Sequence, residues 1–273
     1  MCPESAAPEK ILSFIKEKQV VAGNDIARAF NLKPITVKNY LSRLARIGEV
    51  KSVGGGLYQV GNGERVTMKA GAALTSVTKK LQEAFPVTEF AVWSLQMLSD
   101  YSHYMIGRDI MFVETSKMLS ASVRDELVSK GYRAVLQPER RDFREFASYK
   151  EAPIFILERK ERYGLVKVEG ILVPTPERVW ADIYYLSTRK DLAFDPFELG
   201  LIFAAMVDRG GVNFDLLLRY SDRRGIFREV LIFLYELMKT NSDAGKKIAE
   251  HAILGRRGTL DTIAAMVEGG KKA

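Results

Sequence analysis

Residues 33–48, KPITVKNYLSRLARIG, decide the first part of the fold. Their apolar members recur every three or four positions, the spacing of one face of an α-helix: Val37, Tyr40, Leu41, Leu44 and Ile47. The opposite face carries polar or cationic side chains: Thr36, Lys38, Asn39, Ser42, Arg43 and Arg46. Pro34 suits the first helical position, where its missing N–H costs little, and Gly48 ends the segment. The pattern predicts an amphipathic helix that begins at Pro34.

Two shorter helices are predicted before this one. The first spans Glu9–Lys18 and has an apolar face. The second begins at Asn24, a residue type that commonly caps helix N-termini, and it stops at Asn31. Both helices offer apolar residues on which the helix from Pro34 can dock.

A short β-hairpin is predicted after the third helix. Its strands are Glu49–Val53 and Leu57–Val60, and its turn consists of Gly54, Gly55 and Gly56, for which a tight turn is conformationally easy. Helix, short helix, turn, longer helix and hairpin form the layout of a winged helix-turn-helix. Residues 1–63 are therefore predicted to be a winged helix-turn-helix DNA-binding domain.

DNA binding follows from the polar face of the third helix. A helix-turn-helix inserts its second helix into the major groove, and the segment from Lys33 to Lys51 has five cations against one acid, Glu49. The residues expected to contact DNA are Lys33, Thr36, Lys38, Asn39, Ser42, Arg43 and Arg46 of the helix, and Lys51, Gly54 and Gly55 of the hairpin. The alternative is an amphipathic helix whose polar face merely contacts water.

The rest of the chain divides into three further segments. Residues 64–86 are predicted to form a connecting helix, residues 87–190 a mixed α/β sheet domain, and residues 191–273 a C-terminal helical bundle. Within the α/β domain, Ala152–Leu157 and Leu165–Val173 are predicted to pair as an antiparallel hairpin. The expected fold class is therefore α+β and multidomain.

Basic pairs mark the breaks between the predicted C-terminal helices. They are Arg223-Arg224, Lys246-Lys247 and Arg256-Arg257. Such pairs are usually solvated loop ends, and the alternative is a second phosphate-contacting surface.

Composition narrows the classes of protein that this chain can belong to. The 273 residues include 41 Lys and Arg against 34 Asp and Glu, so the net charge of +7 permits a polyanionic partner. A single cysteine, Cys2, excludes an internal disulfide, and two distant histidines, His103 and His251, argue against a His-ligated metal. The sequence has neither a secretory signal nor an apolar stretch long enough to span a membrane, so a soluble cytoplasmic protein is expected.

Catalytic motifs are sparse. Asp109, Glu158 and Lys160 are the nearest match to a metal-dependent nuclease, which needs acidic ligands for Mg²⁺ and a lysine near the attacking water. Three charged residues at strand ends are commonplace, and no glycine-rich phosphate loop or nucleophile elbow occurs. We therefore expect no enzymatic activity, no cofactor and no metal, with a nuclease as the less favoured alternative.

Several segments together resemble the AbiEi-type antitoxins of type IV toxin–antitoxin systems. The similarity covers residues 8–240, including the winged helix-turn-helix layout and the connecting helix that ends at Phe85-Pro86. Its further segments are Phe90–Ser94 (FAVWS), Ile110–Glu114 (IMFVE), Val173–Ile183 (VPTPERVWADI), Asn213–Tyr220 (NFDLLLRY) and Arg223–Gly225 (RRG).

The resemblance implies a two-part protein. Its winged helix would bind inverted repeats in the promoter of its own operon and repress it, and its C-terminal domain would neutralise a nucleotidyltransferase-like toxin. DNA recognition would fall on Thr36, Lys38, Asn39, Ser42 and Arg43, with Lys51 and Gly54 to Gly56 in the wing. Inverted repeats require two DNA-binding domains ~34 Å apart, so a homodimer or two cooperating monomers are expected.

One alternative keeps the DNA-binding domain but changes the role of the second domain. The chain would then be a winged-helix transcription regulator whose C-terminal part senses a ligand or forms oligomers, with no toxin partner.

Overall fold

The computed structural model describes residues 6–18, 20–46, 49–54, 56–61, 71–102, 109–146, 149, 151–168, 170–209, 212–240 and 242–255. It is a mixed α/β structure with two sheets, and the chain forms two compact units. Unit 1 comprises residues 1–66, 213–219 and 227–273, and unit 2 comprises residues 67–212 and 220–226. Residues 191–273, which the sequence indicates as one helical region, are divided between the two units.

The helices and strands of the described residues are, in chain order, α1 (Ala6–Lys18), β1 (Val20–Ala22), α2 (Gly23–Ala29), α3 (Pro34–Arg46), β2 (Val50–Gly54), β3 (Leu57–Val60), α4 (Ala72–Ala84), β4 (Ala91–Ser94), β5 (Met111–Thr115), α5 (Ser120–Ser129), β6 (Ala134–Leu136), α6 (Arg140–Glu145), β7 (Ile154–Glu158), β8 (Leu165–Val168), β9 (Ile171–Pro174), α7 (Pro176–Lys190), α8 (Pro196–Asp208), α9 (Phe214–Arg223), α10 (Phe227–Met238) and α11 (Asp243–Gly255). A 3₁₀ helix, Leu95–Tyr101, lies between β4 and β5. The helical periodicity of Leu260–Val267 predicts one more helix, which lies outside the described residues.

The N-terminal part of unit 1 is built around the apolar side of α3. Val37, Leu41 and Leu44 are buried, together with Ile11 and Ile15 of α1. Ring contacts add to this core, since Phe14 of α1 and Phe30 after α2 meet edge to face at 5.4 Å between centroids. The predicted helix from Pro34 and the predicted hairpin strands are both confirmed as elements, with ends shifted by a residue or two.

The sheet of unit 1 has the order β1-β3-β2 and is antiparallel throughout. Strand β1 was not predicted, because three residues are too few to show a periodic pattern. The predicted N-cap at Asn24 is wrong: β1 leads directly into α2, which begins at Gly23, and Ala22 is its N-cap residue. The predicted stop at Asn31 is confirmed by its left-handed backbone, with φ of 49°.

The last two described helices also belong to unit 1. Helix α10 packs against α11, and α11 lies beside β2. The first turns of α9 contribute too: burial and the nearby carboxylate of Asp215 raise the pKa of Tyr58 on β3. Unit 1 therefore contains segments that lie before and after the main part of unit 2 in the sequence.

Unit 2 is organised by a six-stranded sheet of order β6-β7-β5-β4-β9-β8. Strands β5, β7 and β6 are parallel, β4 is antiparallel to β5 and parallel to β9, and β8 is antiparallel to β9. The predicted hairpin between Ala152–Leu157 and Leu165–Val173 is therefore wrong. The second segment turns at Gly170, whose φ is 84°, so its two halves pair with each other as β8 and β9. Strand β7 lies in the parallel part of the sheet instead.

Aromatic side chains fill the core of unit 2. Trp93 on β4 stacks on Phe112 of β5 at 3.9 Å between ring centroids, and both are fully buried. Trp180 of α7 is also fully buried, and its indole N–H donates to the Leu199 carbonyl of α8 at 3.0 Å. The sequence is compatible with a helix over Leu95–His103, and the structure has a 3₁₀ helix there that ends at Tyr101. His103 lies outside the described residues.

Candidate functional site

The exposed face of α3 carries three of the residues predicted to contact DNA, and Lys33 lies just before it. Lys33, Lys38, Asn39 and Ser42 are exposed, whereas Thr36 is half-buried at the edge of this face. Helix α3 contains no acidic residue, so no carboxylate on it would repel a polyanion.

The turn before α3 fixes the direction in which this face points within unit 1. The left-handed Asn31 lets the Leu32 N–H donate to the Ala27 carbonyl at 2.9 Å, which closes α2. The Lys33 carbonyl then accepts from the Thr36 and Val37 N–H groups at 2.9 and 3.1 Å. Helix α3 therefore begins immediately after the end of α2.

The other predicted contact residues fall into two groups. Arg43 and Arg46 lie in α3, but their side chains are outside the described part of the structure. Lys51 is half-buried in β2, Gly54 is the last residue of β2 and pairs with Leu57, and Gly55 lies outside the described residues.

Ile35 is the residue of α3 that the sequence pattern missed. Its side chain is 61% exposed, although isoleucine is among the residue types most often buried. Its exposure is not expected from residue type alone, because an apolar residue in an amphipathic helix is normally assigned to the core. Its spacing from Val37 and Leu41 would have shown that it lies on the polar side.

A second cluster of charged side chains lies buried in unit 2. Glu114, at the end of β5, accepts hydrogen bonds from Trp93 Nε1 at 3.0 Å and from Arg159 Nη1 at 2.9 Å, and it pairs with Arg178. Arg159 Nη1 also donates to Asp182 Oδ2 at 2.8 Å. Hydrogen bonds and ion pairs between these side chains thus connect β4, β5, α7 and the residue after β7.

Asp182 is the most enclosed carboxylate of this cluster, with no exposed side-chain surface. Besides Arg159, it accepts from the Tyr220 hydroxyl at 2.9 Å, and Arg224 Nε lies 3.0 Å from Oδ1 without hydrogen-bond alignment. Arg178 is equally buried, and its Nη1 donates to the Tyr163 carbonyl at 2.7 Å. We call Glu114, Arg159, Arg178, Asp182, Tyr220 and Arg224 the buried charge cluster.

The electrostatics of the buried charge cluster keep Asp182 charged and Tyr220 neutral. Burial alone would raise the pKa of Asp182, but the charges of Arg159, Arg224 and Arg178 outweigh it and hold that pKa below its usual value. Burial and the negative charge of Asp182 raise the pKa of Tyr220, which therefore stays a neutral hydrogen-bond donor. The cluster thus contains three guanidinium groups and two carboxylates.

A cavity of about 330 Å³ opens beside this cluster, at the carboxyl ends of β5 and β7. Its lining comes from the residues after α4, from the end of β5 and from the segment after β7, and includes Thr88, Glu114, Thr115, Arg159 and Lys160. The Thr115 hydroxyl is buried and has no hydrogen-bond partner in the described structure. Lys160 is exposed and makes no ion pair with any described residue. The volume and the polar lining suit a small polar molecule.

The residues of the nuclease alternative are not brought together. The parallel register of β5 and β7 pairs Met111 with Ile154 and Thr115 with Glu158. Asp109 precedes β5, so it lies six residues of strand, or ~20 Å, from the end that carries Glu158 and Lys160. Glu158 instead accepts from the Ser120 hydroxyl at 2.7 Å. A two-carboxylate site for Mg²⁺ is therefore not formed by these residues.

The basic pair Arg223-Arg224 has partners within unit 2. Arg223 Nη1 donates to Glu161 Oε2 at 2.7 Å, and Arg224 contacts Asp182. Lys246 pairs with Asp243 at 3.5 Å on α11, and Arg256-Arg257 lies outside the described residues. Ion pairing at Arg223 and Arg224 argues against a phosphate-contacting role for that pair.

Two kinds of feature are absent from the described residues, metal-binding clusters and membrane-spanning helices. No group of three or more His, Cys, Asp or Glu side chains there is arranged to hold a metal ion. Nor does any helix in the described ranges combine the length and the apolar character needed to cross a membrane.

The fold and the charged clusters define a mixed α/β protein of two compact units. The chain belongs to DUF6577, described as a family of unknown function, whose model matches residues 36–240. The match begins in α3 and ends just after α10, so it includes the whole buried charge cluster. No protein in a curated set matches the chain.

Proposed function

We propose that this chain is a non-enzymatic DNA-binding antitoxin that represses its own operon in a type IV toxin–antitoxin system. The observation that carries the DNA-binding half is the exposed face of α3, where Lys38, Asn39 and Ser42 stand on a helix without acidic residues, with the exposed Lys33 just before it. The major groove is about 12 Å wide and admits one α-helix.

The order and pairing of elements in unit 1 support a winged helix-turn-helix. Helices α1, α2 and α3 are followed by the β2–β3 hairpin, and β1 pairs with β3. Under this assignment α3 is the recognition helix and the hairpin is the wing. Lys51, Gly54 and Gly55 would then lie next to the phosphate backbone, where they fix register rather than sequence.

The antitoxin half rests on the resemblance to AbiEi-type proteins, and the buried charge cluster gives it a physical basis. Four of the segments that carry the resemblance supply members of the cluster: Glu114, then Arg178 with Asp182, then Tyr220, and finally Arg224. A fifth, Phe90–Ser94, supplies Trp93, which donates to Glu114. These segments are distant in sequence, but the buried network brings their side chains together. The cluster would therefore support the domain that faces the toxin, without touching the toxin itself.

A gel-shift assay tests the DNA-binding half. The labelled probe is the region upstream of the chain's own gene, and an unrelated duplex of equal length is the competitor. We expect specific binding, and a loss of about 10- to 100-fold in affinity for the variant Lys38→Ala with Arg43→Ala if either side chain contacts a base. Lys10→Ala is the matched control, because it removes one exposed cation of α1, away from this face. Equal binding to both duplexes, unchanged in the double variant, would refute the assignment.

A growth assay tests the antitoxin half. The proposal requires a neighbouring gene for a nucleotidyltransferase-like toxin; that gene is expressed alone or with this chain, and co-expression is expected to restore growth. Co-expression of the Lys38→Ala, Arg43→Ala variant should still restore growth, since toxin neutralisation is assigned to the other unit. Growth arrest that persists with the wild-type chain present would remove the toxin partner from the proposal.

A ligand-responsive regulator is the second candidate function, and the cavity of unit 2 is the observation that favours it. The unpartnered Thr115 hydroxyl and the exposed Lys160 at this cavity suit an anionic ligand. Thermal unfolding with inorganic phosphate or ATP tests this candidate: a bound ligand at 100 times its dissociation constant stabilises by ~2.7 kcal/mol. The shift should be absent in Lys160→Ala, and absence of any shift in the wild type eliminates these two ligands.

A further inference from the structure

The exposed face of α3 has an isoleucine at its centre. At 3.6 residues per turn, positions 35, 39 and 42 lie within about 60° of one another around the helix axis. Ile35 is 61% exposed, and its neighbours on this face, Lys38, Asn39 and Ser42, are exposed polar residues. An apolar side chain is thus surrounded by polar ones in the first turn of the helix.

Packing inside unit 1 does not account for this placement. The core side of α3 is formed by Val37, Leu41 and Leu44, which are at most 6% exposed and lie on the opposite side of the helix from Ile35. Single exposed apolar residues are common on protein surfaces. This one, however, occupies the helical turn that a helix-turn-helix presents to the base pairs.

The chemistry of the major groove supplies an apolar partner. Base edges there offer hydrogen-bond donors and acceptors, and thymine alone among the four bases adds a C5-methyl group. Lys38 and Asn39 can hydrogen-bond to base edges, but the Ile35 side chain has neither donor nor acceptor. A methyl group is therefore what Ile35 can select.

We propose that Ile35 contacts the C5-methyl group of a thymine in the operator and so contributes to sequence preference. This inference rests on the proposed DNA binding by α3, and it adds an apolar contact to the polar contacts already assigned. Each half of an inverted repeat would then place a thymine opposite Ile35.

The test compares two forms of the upstream duplex, amplified with either dTTP or dUTP, which differ only in the thymine methyl groups. The wild-type chain should bind the uracil form about fourfold more weakly for one lost methyl contact, and about tenfold or more when two half-sites are occupied. Ile35→Ala should bind the thymine form more weakly by a similar factor and should bind both forms equally. Val128→Ala, which shortens an exposed apolar residue of unit 2, should keep the wild-type ratio.

The outcomes distinguish the Ile35 contact from DNA binding itself. Equal binding of both duplexes by the wild type, with the upstream sequence still preferred over unrelated DNA, overturns the Ile35 contact and leaves DNA binding intact. Discrimination that persists in Ile35→Ala also overturns it, since another residue or the DNA shape then senses the methyl groups. Absence of any preference for the upstream sequence refutes the proposed function and this inference together. Circular dichroism verifies that Ile35→Ala is folded, and the wild-type comparison needs no variant.

Discussion

Replacing Asp182 with asparagine should strongly destabilise unit 2. The change keeps the size of the side chain but removes a fully buried negative charge that contacts Arg159 at 2.8 Å, Tyr220 at 2.9 Å and Arg224 at 3.0 Å. Removing one partner of a buried ion pair leaves the other charge uncompensated and costs about 3–5 kcal/mol. Asp182→Asn leaves Glu114 as the one remaining carboxylate of the buried charge cluster, so we expect a loss in this range.

Tryptophan fluorescence during urea unfolding measures this loss. The chain has two tryptophans, Trp93 and Trp180, and both are buried in unit 2, so the signal reports on that unit. The midpoint should fall by about 2 M urea for Asp182→Asn, given a slope of 1–3 kcal/mol/M. Asp125→Asn is the control: it breaks an exposed pair with Arg124 and should cost less than about 0.5 kcal/mol. Equal midpoints for the two variants would refute the stabilising role of the buried charge cluster.

The same variant predicts a pH dependence. Because the pKa of Asp182 is held below its unfolded-state value, its contribution to stability is complete above about pH 4 and is lost as the pH falls through the folded-state pKa. The wild type and Asp182→Asn should therefore differ most near neutral pH and converge in acid. A gap that stays constant down to pH 2 would contradict the charge-based explanation.

Three further predictions concern other parts of the chain. Lys33→Ala should reduce the slope of log affinity for upstream DNA against log salt by about one if the side chain neutralises a phosphate, as a salt titration in the gel-shift assay will show. Gly245→Ala should destabilise the α10–α11 pair by about 1–3 kcal/mol. The added Cβ would lie 2.6 Å from the Leu237 carbonyl oxygen and 2.7 Å from the Thr240 carbonyl oxygen. A thermal melt measures the loss, and an unchanged melting temperature would contradict this steric explanation. Burial raises the pKa of Tyr101 to about 12. Tyr101→Phe should therefore remove one late-ionising tyrosine from a spectrophotometric titration. In the wild type, the stability that the raised pKa provides should be lost as the pH rises from about 10 to 12.

The sequence predicts α3 and the hairpin of unit 1 because their patterns are local, whereas the three-residue strand β1 is too short to show one. The apolar spacing from Val37 to Leu44 specifies a helix, and the glycines after Val53 specify a turn. Local patterns also located most helices of unit 2. Whether unit 1 binds DNA remains a prediction.

The sheet of unit 2 shows where local patterns are insufficient. Adjacent segments were assumed to pair, yet β7 pairs with β5 and β6, which lie further back in the chain. The run Ile154–Leu157 is apolar at every position, which is typical of a central parallel strand covered on both faces. That continuity was the signal against the hairpin.

The buried charge cluster was not predictable from spacing alone. Glu114, Arg159 and Asp182 come from separate elements, and strand order decides that they meet. One local hint exists, since Arg178 and Asp182 stand four residues apart on α7, the spacing at which helical side chains face each other, with the apolar residues Val179, Trp180 and Ala181 between them. A charged pair among buried aromatic residues indicates partners elsewhere in the fold.

Unit 1 also imposes an order on biosynthesis. Its segment 1–66 is translated before unit 2, whereas α10 and α11, which complete the unit beside β2, are translated after it. At about 5–20 residues per second, the nascent N-terminal segment waits on the order of ten seconds or more for these helices. Unit 1 can therefore reach its complete form only after the intervening unit 2 has been made.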